Sequence, residues 1–348
     1  MLYCNQFDIL FLILLLMGVP EVDFDRIPLL GVERTPLLYL ANLSKYLGGP
    51  EIYMKREDMN GCIGLAGNKL RKLEYLLADA VNKKCDVVVT TGGLQSNHCR
   101  ATAAAARRVG LKPVLVLIGE PEEPLKGNLL LDNLMGAEFV FGNDYDLMDQ
   151  LLEETVENLK KKGHSPYVIP LGASNGLGTI GFISAAKEMS VQLEENNVQP
   201  TWQVVTTGSA GTYTGVLLGS SIPDTLGISV VASTSEIKDR IKSLAVETCQ
   251  LTGVELDISD FEKKIKVDDT YLGEGYGIAT DEGVKAIKLL AEKEGILLDP
   301  TYTSKAMAGL IDYIKRGIIN AGDKVVFWHT GGQIGLFTSS LPGQRLNT

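Results

Sequence analysis

The side chain with the clearest chemical potential is Lys69, which ends the segment GLAGNK at positions 64–69. Two glycines and an asparagine precede an amphipathic stretch, so Lys69 should lie in the first turn of a helix. There its amine faces the positive end of the helix dipole, which disfavours the protonated form. A lysine with a depressed pKa can form a Schiff base with a carbonyl compound. Lys72 follows on the same helical face and could bind an anion nearby. A solvated basic surface is the alternative interpretation.

A second segment, Thr90–His98, follows an apolar strand and begins a helix. Ser96 and Asn97 fall at the carboxyl end of that strand, where side chains face a ligand in open α/β sheets. Capping of the helix by Ser96 is the competing interpretation.

A third segment, Thr206–Thr212, links a strand to a helix through small residues. Successive backbone N–H groups there could surround an oxyanion such as a phosphate. It is not a Walker A loop, because no Lys-Ser or Lys-Thr pair follows its glycines. We expect a Cβ at Gly208 or Gly211 to crowd this cup and to resist a positive φ. An ordinary tight turn is the alternative.

A fourth segment, GLGTIG at 176–181, matches the G-x-G-x-x-G fingerprint of dinucleotide-binding proteins. However, Gly172–Asn175 separates it from the preceding strand, and the unit lies in the middle of the chain. Nucleotide binding is therefore a disfavoured alternative.

The C-terminal third adds two tyrosines and two threonines in turn-forming segments. Tyr276 lies in the glycine loop Gly273–Gly277, and Tyr302 and Thr303 come just before a helix. Thr330 and two glycines follow a strand. Each segment alone is typical of a turn.

The elements that must position these segments alternate along the chain. From Glu51 onward, short β-branched runs alternate with amphipathic stretches, which predicts βαβ units and a mostly parallel α/β fold. Five glycines follow predicted helices, where a positive φ is favoured: Gly110, Gly163, Gly253, Gly295 and Gly317. The predicted strands are Ile52–Lys55, Val87–Thr90, Val114–Ile118, Glu138–Phe141, Tyr167–Ile169, Gln203–Thr206, Ser229–Ala232 and Lys324–Trp328. The predicted helices are Lys69–Val81, Ser96–Val109, Asp146–Lys162, Phe182–Leu193, Ile237–Leu251, Asp281–Glu294 and Ser304–Arg316.

Composition limits the classes of partner. The formal charge is −10 and no run of five basic residues occurs. The sequence therefore lacks the basic footprint of a nucleic-acid-binding protein and the polybasic patch of a membrane-surface protein. Five scattered cysteines without C-x-x-C indicate reduced thiols in a cytoplasmic protein, and neither a disulfide framework nor a metal site is expected. A small molecule is the expected partner.

Six motifs occur in order between residues of about 30 and 335: GNKLRKLEYL, QSNH, VVTTGSAGT, GYG, DPTYTSKAMAGL and HTGG. Together they resemble the fold-type II pyridoxal 5′-phosphate (PLP) enzymes, in the branch of 1-aminocyclopropane-1-carboxylate (ACC) deaminase and D-cysteine desulfhydrase. The resemblance implies PLP as cofactor and a tryptophan synthase β-like fold. We also expect a homodimer.

The resemblance also implies a role for each candidate residue. Lys69 would form the Schiff base with PLP, and Ser96 would assist at the substrate. Asn97 would hydrogen-bond the 3′ oxygen of the cofactor. Tyr276 and Tyr302 would line the substrate side and the ring, with Thr303 and Thr330 near the ring nitrogen. The phosphate would be held by Lys72 and by the loop residues Thr207, Gly208, Ser209, Ala210, Gly211 and Thr212.

Thr303 and Thr330 bear on the choice of reaction. Deaminases of this family carry Glu after the second tyrosine and an apolar residue before the final Gly-Gly, whereas this chain has threonines, as the desulfhydrases do. A hydroxyl cannot supply the negative charge that keeps the ring nitrogen protonated. The resulting electron sink is weaker, but it suffices when a thiolate leaves. The predicted activity is that of a D-cysteine desulfhydrase, which forms pyruvate, hydrogen sulfide and ammonia. Alternatives are an ACC deaminase forming 2-oxobutyrate and ammonia, a lyase for another β-substituted three-carbon amino acid, and a silent PLP-binding protein.

Two domains are expected, each an open, twisted, mostly parallel sheet flanked by helices. The smaller would span residues 66–180, and the larger would combine 21–65 with 181–340. Residues 1–20 fall outside the resemblance. Their apolar stretch, Ile9–Val19, is shorter than the roughly 20 residues that span a bilayer, and no basic residue precedes it as in a secretory signal. We interpret residues 1–20 as an extra leader, with a targeting segment as the alternative.

Overall fold

Ten β-strands are found in the part of the chain that the computed structural model describes, residues 24–29, 31–60, 63–339 and 341. Helices alternate with them, which confirms the predicted α/β class. The strands are β1 (Leu37–Tyr39), β2 (Glu51–Arg56), β3 (Val87–Gly93), β4 (Lys112–Ile118), β5 (Glu138–Gly142), β6 (Pro166–Val168), β7 (Trp202–Thr207), β8 (Asp224–Ser229), β9 (Lys266–Asp268) and β10 (Lys324–His329).

The strands form two sheets. The larger sheet has the order β1-β2-β10-β7-β8-β9 and is parallel except for the β1–β2 pair. The smaller sheet has the order β5-β4-β3-β6 and is parallel throughout. In register, Val326 of β10 lies between Tyr53 of β2 and Gln203 of β7. Strands β3, β4, β7 and β10 are buried along nearly their whole length, as expected of parallel strands covered on both faces.

Eleven α-helices lie within the same described ranges. The five glycines predicted to follow helices all have positive φ, between +66° and +86°, so that prediction is confirmed. The helices are α1 (Ala41–Leu47), α2 (Lys69–Asn82), α3 (Asn97–Arg108), α4 (Gly127–Leu134), α5 (Met148–Lys161), α6 (Gly176–Glu195), α7 (Gly211–Gly219), α8 (Thr234–Thr252), α9 (Ile258–Lys264), α10 (Asp281–Glu294) and α11 (Thr303–Lys315).

One strand was predicted in the wrong place. Strand β8 covers Asp224–Ser229, not the predicted Ser229–Ala232. Its central Gly227 weakens the strand pattern, because glycine has no side chain to pack. The structure explains this glycine: a Cβ there would lie 2.8 Å from the ring of Tyr213. The tyrosine hydroxyl donates to the Thr225 carbonyl over 2.9 Å. The short elements β1, β9, α1, α4 and α9 were not predicted.

Gly181 of the segment 176–181, together with Gly215, lets three helices pack closely. Helix α6 begins at Gly176, six residues before its predicted start at Phe182. A Cβ on Gly181 would lie 2.1 Å from the Arg71 carbonyl of α2, and a Cβ on Gly215 of α7 would lie 2.5 Å from the Thr179 carbonyl of α6. This G-x-G-x-x-G therefore serves close helix packing. It fixes α2, which begins with Lys69, against α6 and α7.

The apolar stretch Ile9–Val19 lies outside the described residues. Within the described residues, no helix combines the length and apolar character needed to cross a membrane. The smaller sheet is built from residues 87–168 and the larger from 37–56 and 202–329. This separation supports the two-domain division, which we retain as a proposal.

Candidate active site

A cavity of about 520 Å³ opens where the carboxyl ends of strands from both sheets meet. Its wall includes Gly93 at the end of β3, Gly208 just after β7 and Thr330 just after β10. This is the usual ligand position in open α/β sheets, and the volume suits a small-molecule site.

Lys69, the first residue of α2, lines this cavity. Burial removes the amine from water and lowers its pKa to about 8. The sequence had suggested the helix dipole as the cause of the lowered pKa. No described residue accepts a hydrogen bond from the amine. The preceding Asn68 is held from two sides: its backbone N–H donates to the Thr330 carbonyl and its Nδ2 to Thr212 Oγ1, both over 3.1 Å. Lys69 is thus fixed against the loops that follow β10 and β7.

Lys72 lies behind the cavity wall, one turn further along α2. Its amine is fully buried and donates to Ser174 Oγ over 2.9 Å and to the Gly172 carbonyl over 3.2 Å. No described carboxylate forms an ion pair with it. Burial, with a further contribution from Lys69, holds the pKa of Lys72 well below its usual value. Ser174 Oγ also lies 2.7 Å from Ser209 Oγ. A buried amine with only neutral acceptors is suited to binding an anion, whose charge would favour its protonated form.

Only part of the predicted anion cup, residues 207–212, lines the cavity. Gly208, Ser209, Ala210 and Thr212 line the cavity, whereas Thr207 and Gly211 lie behind it. Two expectations are wrong. The positive φ falls on Ala210 (+66°), because the turn into α7 requires it there. A Cβ on Gly208 would meet no described atom outside its chain neighbours closer than 3.5 Å, which is an ordinary contact.

Gly211 is the crowded glycine of the cup. A Cβ there would lie 2.6 Å from Ser174 Oγ and 2.7 Å from Lys72 Nζ. The N-terminus of α7, Lys72 and Ser174 therefore converge on one point. Gly172 and Ser174 were not predicted as site residues, although the small residues between the preceding strand and helix α6 could have indicated them.

The segment after β3 contributes three neighbouring side chains to the cavity: Ser96, Asn97 and His98. Ser96 Oγ also accepts from the Cys99 backbone N–H over 3.2 Å, so Ser96 both caps α3 and lines the cavity. The Thr90 hydroxyl gives its single proton to the Ile169 carbonyl, so the bond of 2.7 Å between Thr90 and His98 must be donated by His98 Nε2. Burial, together with the charges of two nearby lysines, holds the pKa of His98 well below its usual value. His98 is therefore a neutral wall residue.

Tyr276 and Tyr302 meet in the cavity wall. Their hydroxyl oxygens lie 2.5 Å apart and both side chains line the cavity. Burial raises the pKa of Tyr302 well above its usual value and also raises the pKa of Tyr276. Lys305, fully buried in α11, donates to the Leu272 and Gly275 carbonyls over 2.8 and 3.0 Å, which holds the loop that carries Tyr276.

The two threonines that were predicted to lie near the ring nitrogen of the cofactor differ in position. Thr330 lines the cavity, but Thr303 is fully buried and does not. The Thr303 hydroxyl donates to Asp299 Oδ1 over 2.6 Å and accepts from the Asp299 backbone N–H over 2.9 Å. Asp299 also accepts backbone N–H groups at the start of α11. The Cγ of this carboxylate lies 2.9 Å from a Cβ built on Gly332 of the cavity wall. Asp299 was not predicted as a site residue.

The three described cysteines, Cys85, Cys99 and Cys249, are free thiols. Cys4 and Cys62 lie outside the described residues. Among the described side chains, no group of three histidine, cysteine or acidic residues could hold a metal ion.

The chain is similar to known proteins over most of its length. Residues 28–331 match the family described as "Pyridoxal-phosphate dependent enzyme". A Pyrococcus abyssi protein named "Putative 1-aminocyclopropane-1-carboxylate deaminase" is 42% identical over 330 residues, which are 91% of this chain and 96% of that protein. A D-cysteine desulfhydrase from Yersinia pestis is 41% identical over 322 residues, with 90% and 96% covered. A crystal structure of an ACC deaminase homologue matches with a TM-score of 0.82 and 39% identity, with 94% and 95% covered.

Proposed function

We propose, from the premise that this chain belongs to the family of pyridoxal-phosphate-dependent enzymes, that PLP binds in the cavity between the two sheets with Lys69 as its Schiff-base lysine. The predicted family and cofactor are confirmed. The observation that carries the proposed placement is the buried amine of Lys72, which lacks a described carboxylate partner and lies beside the N-terminus of α7. This cup fits a phosphate, and Lys69 lies in the cavity that it borders.

The other residues divide by position around this cofactor. We propose that Lys72 and residues 207–212 hold the phosphate, and that Asn97 and Thr330 contact the ring. Thr303 does not line the cavity, and we propose that it contributes only by holding the Asp299 carboxylate through hydrogen bonds. Ser96, Tyr276 and Tyr302 lie where a substrate would enter beside Lys69.

The reaction we propose is β-elimination from D-cysteine. When bound, PLP supplies the electron sink for the carbon that loses its proton. Lys69 Nζ, whose pKa burial lowers below that of an ordinary lysine, is suited to take this proton. The tyrosine pair and Ser96 orient the substrate while the thiolate leaves. With one water consumed, D-cysteine becomes pyruvate, hydrogen sulfide and ammonia. The D-cysteine desulfhydrase from Yersinia pestis, 41% identical, supports this choice.

Reduction by borohydride tests the cofactor assignment. Purified holoenzyme should be yellow, and reduction should bleach it and add the cofactor's mass to the peptide containing Lys69. Attachment to another lysine, or none, would contradict the proposal.

Substrate preference tests the reaction. We expect D-cysteine turnover to exceed ACC turnover at least about tenfold, or about 1.4 kcal/mol in activation free energy. Thr330 offers the ring nitrogen only a hydroxyl, and the Asp299 carboxylate is saturated by hydrogen bonds from the backbone and from Thr303. The measurement compares pyruvate from D-cysteine with 2-oxobutyrate from ACC. ACC deamination is the alternative, named for the Pyrococcus abyssi relative, and faster 2-oxobutyrate release would establish it.

Retention of PLP during dialysis tests whether the anion cup binds the phosphate. A Gly211→Ala variant should bind PLP at least about tenfold more weakly, because the new Cβ displaces Ser174 Oγ and Lys72 Nζ from the phosphate position. Gly208→Ala is the matched control, since its Cβ has room, and it should retain PLP like the parent. Dialysis followed by absorbance measures both. Equal retention by the two variants would show that the segment is only a turn.

We propose further that the enzyme is a cytoplasmic homodimer. The unpaired cysteines support a reducing compartment. Leu134 of α4 and Phe337 are 71% and 80% exposed, and the segment after β10 packs on the start of α4, where Gly127 faces Thr338. Large exposed apolar side chains on adjoining elements are typical of a contact between subunits. Light scattering, with Phe337→Ser as the test variant, would report the subunit number.

A further inference from the structure

We infer that Arg100 is a positioning residue of the active site. It fixes the side-chain amide of Asn97 so that Nδ2 faces the cavity in which the cofactor would bind, and it ties this amide to the loop that precedes Lys69. The inference rests on the proposed function, because it assumes that PLP occupies the cavity that Asn97 lines.

The guanidinium determines which way two amides point. Arg100 can only donate hydrogen bonds, and its Nη1 contacts Asn97 over 2.9 Å and also contacts Asn128. The atoms that face it must therefore be the Oδ1 atoms. Asn128 then directs its Nδ2 to Asn97 Oδ1 over 3.0 Å and to the Gln95 carbonyl over 2.7 Å. Asn97 Oδ1 thus accepts two hydrogen bonds, one from Arg100 Nη1 and one from Asn128 Nδ2.

The remaining group of Asn97 is Nδ2, which lies 3.1 Å from a Cβ built on Gly332 of the cavity wall. Asn97 therefore presents a hydrogen-bond donor, and not an acceptor, to a ligand in the cavity. A donor at this place suits an anionic oxygen on the cofactor ring.

The same guanidinium holds the loop before Lys69. Its Nε donates to the Gly64 carbonyl over 2.9 Å and its Nη2 to the Leu65 carbonyl over 2.7 Å. Both residues have positive φ, +55° and +53°. A leucine with positive φ is strained, so the hydrogen bond from Arg100 to the Leu65 carbonyl helps to retain this backbone conformation. One side chain thus joins the start of α3 to the loop that leads into α2.

Arg100 remains a cation at neutral pH although it is 1% exposed. Burial lowers its pKa to about 10. The acid that faces it is Asp132 of α4, whose two oxygens accept no hydrogen bond from the described residues. Lysine could not replace Arg100, because one ammonium cannot donate to four acceptors spread around a planar fork.

The experiment uses holoenzyme of the parent and of Arg100→Lys. The variant should lose PLP affinity at least about tenfold, and the pH midpoint of the visible absorbance of bound PLP should shift. Arg107→Lys is the matched control: Arg107 lies two turns along α3 and donates to the Met135 and Gly136 carbonyls away from the cavity. It should change neither quantity. A purely structural role would lower the melting temperature of the cofactor-free protein and leave the absorbance midpoint unchanged.

A double-mutant cycle separates Arg100 from Asn97. In an Asn97→Ala background, Arg100→Lys should no longer shift the absorbance midpoint. An equal shift in both backgrounds would overturn the inference. If Arg100→Lys does not fold, Asn128→Ala serves instead, because it removes the second donor to Asn97 Oδ1 and should shift the midpoint in the same direction. Unchanged spectra for both folded variants would also overturn it. Failure of the parent to attach PLP at Lys69 would instead refute the proposed function.

Discussion

A Lys69→Ala variant is expected to fold, to bind PLP only reversibly and to lose more than about 1,000-fold of the lyase activity. Lys69 faces the cavity at the first position of α2, its amine makes no hydrogen bond to a described residue, and alanine is a strong helix former. The loss reflects removal of the group that attaches the cofactor and moves the proton, and general acid–base catalysis alone contributes about 10²–10⁴-fold. The measurement pairs turnover with mass spectrometry after borohydride treatment.

Lys83→Ala is the matched control for this variant. Lys83 directly follows the other end of α2, is exposed and pairs with Asp79 over 2.7 Å. Its removal should leave attachment and turnover unchanged. A borohydride-reducible lysine together with parental turnover in Lys69→Ala would refute the Schiff-base assignment.

The second large effect concerns stability. Glu188→Ala is expected to lower the free energy of unfolding by about 3–5 kcal/mol, because it removes the described carboxylate that pairs with buried Lys55 and one of the two that pair with buried Arg71. Glu188 accepts from Arg71 over 2.6 Å and from Lys55 over 2.5 Å, and both side chains are at most 3% exposed. Glu57 then remains as the one carboxylate that pairs with Arg71 among the described residues. Urea denaturation of the holoenzyme measures the change.

Glu195→Ala on the same helix is the control. Its carboxylate pairs with Arg34 at the surface, where both side chains are more than 40% exposed, so the loss should stay below about 1 kcal/mol. Burial raises the pKa of Glu188, but Arg71 and Lys55 more than offset this and hold it below its usual value. The stabilisation is therefore present above the ordinary pKa of Glu and is lost as the pH falls below it. Equal losses for the two variants would show that the buried network contributes little.

The sequence was most informative where a strand ends and a helix begins. Ser96 and Asn97 lie at the start of the helix after β3, Gly208 directly follows β7, and Lys69 begins α2. All four line one cavity. This outcome follows from local patterns, since the carboxyl ends of parallel strands share one edge of a sheet. The five glycines after helices were predictable for the same reason: their backbone conformation is set by neighbours in the chain.

What the sequence could not supply depends on contacts between distant segments. Ser174 reaches Lys72 only because α6 packs on α2, and Asp299 reaches the cavity wall only because the segment after β10 lies over it. Strand β8 was misplaced because Gly227 is fitted to the ring of Tyr213. The orientation of the Asn97 amide required the position of Arg100. None of these contacts leaves a periodic or local signal.

The glycine packing of α2, α6 and α7 limits how this site could diverge during evolution. Any side chain at Gly181 or Gly215 would meet a backbone carbonyl at 2.5 Å or less, so replacement at either position requires the helices to separate. Lys69 and the anion cup are carried by these helices and would be disturbed together. New substrate preferences are therefore most accessible through the loop that carries Tyr276, whose side chain lines the cavity and is 46% exposed.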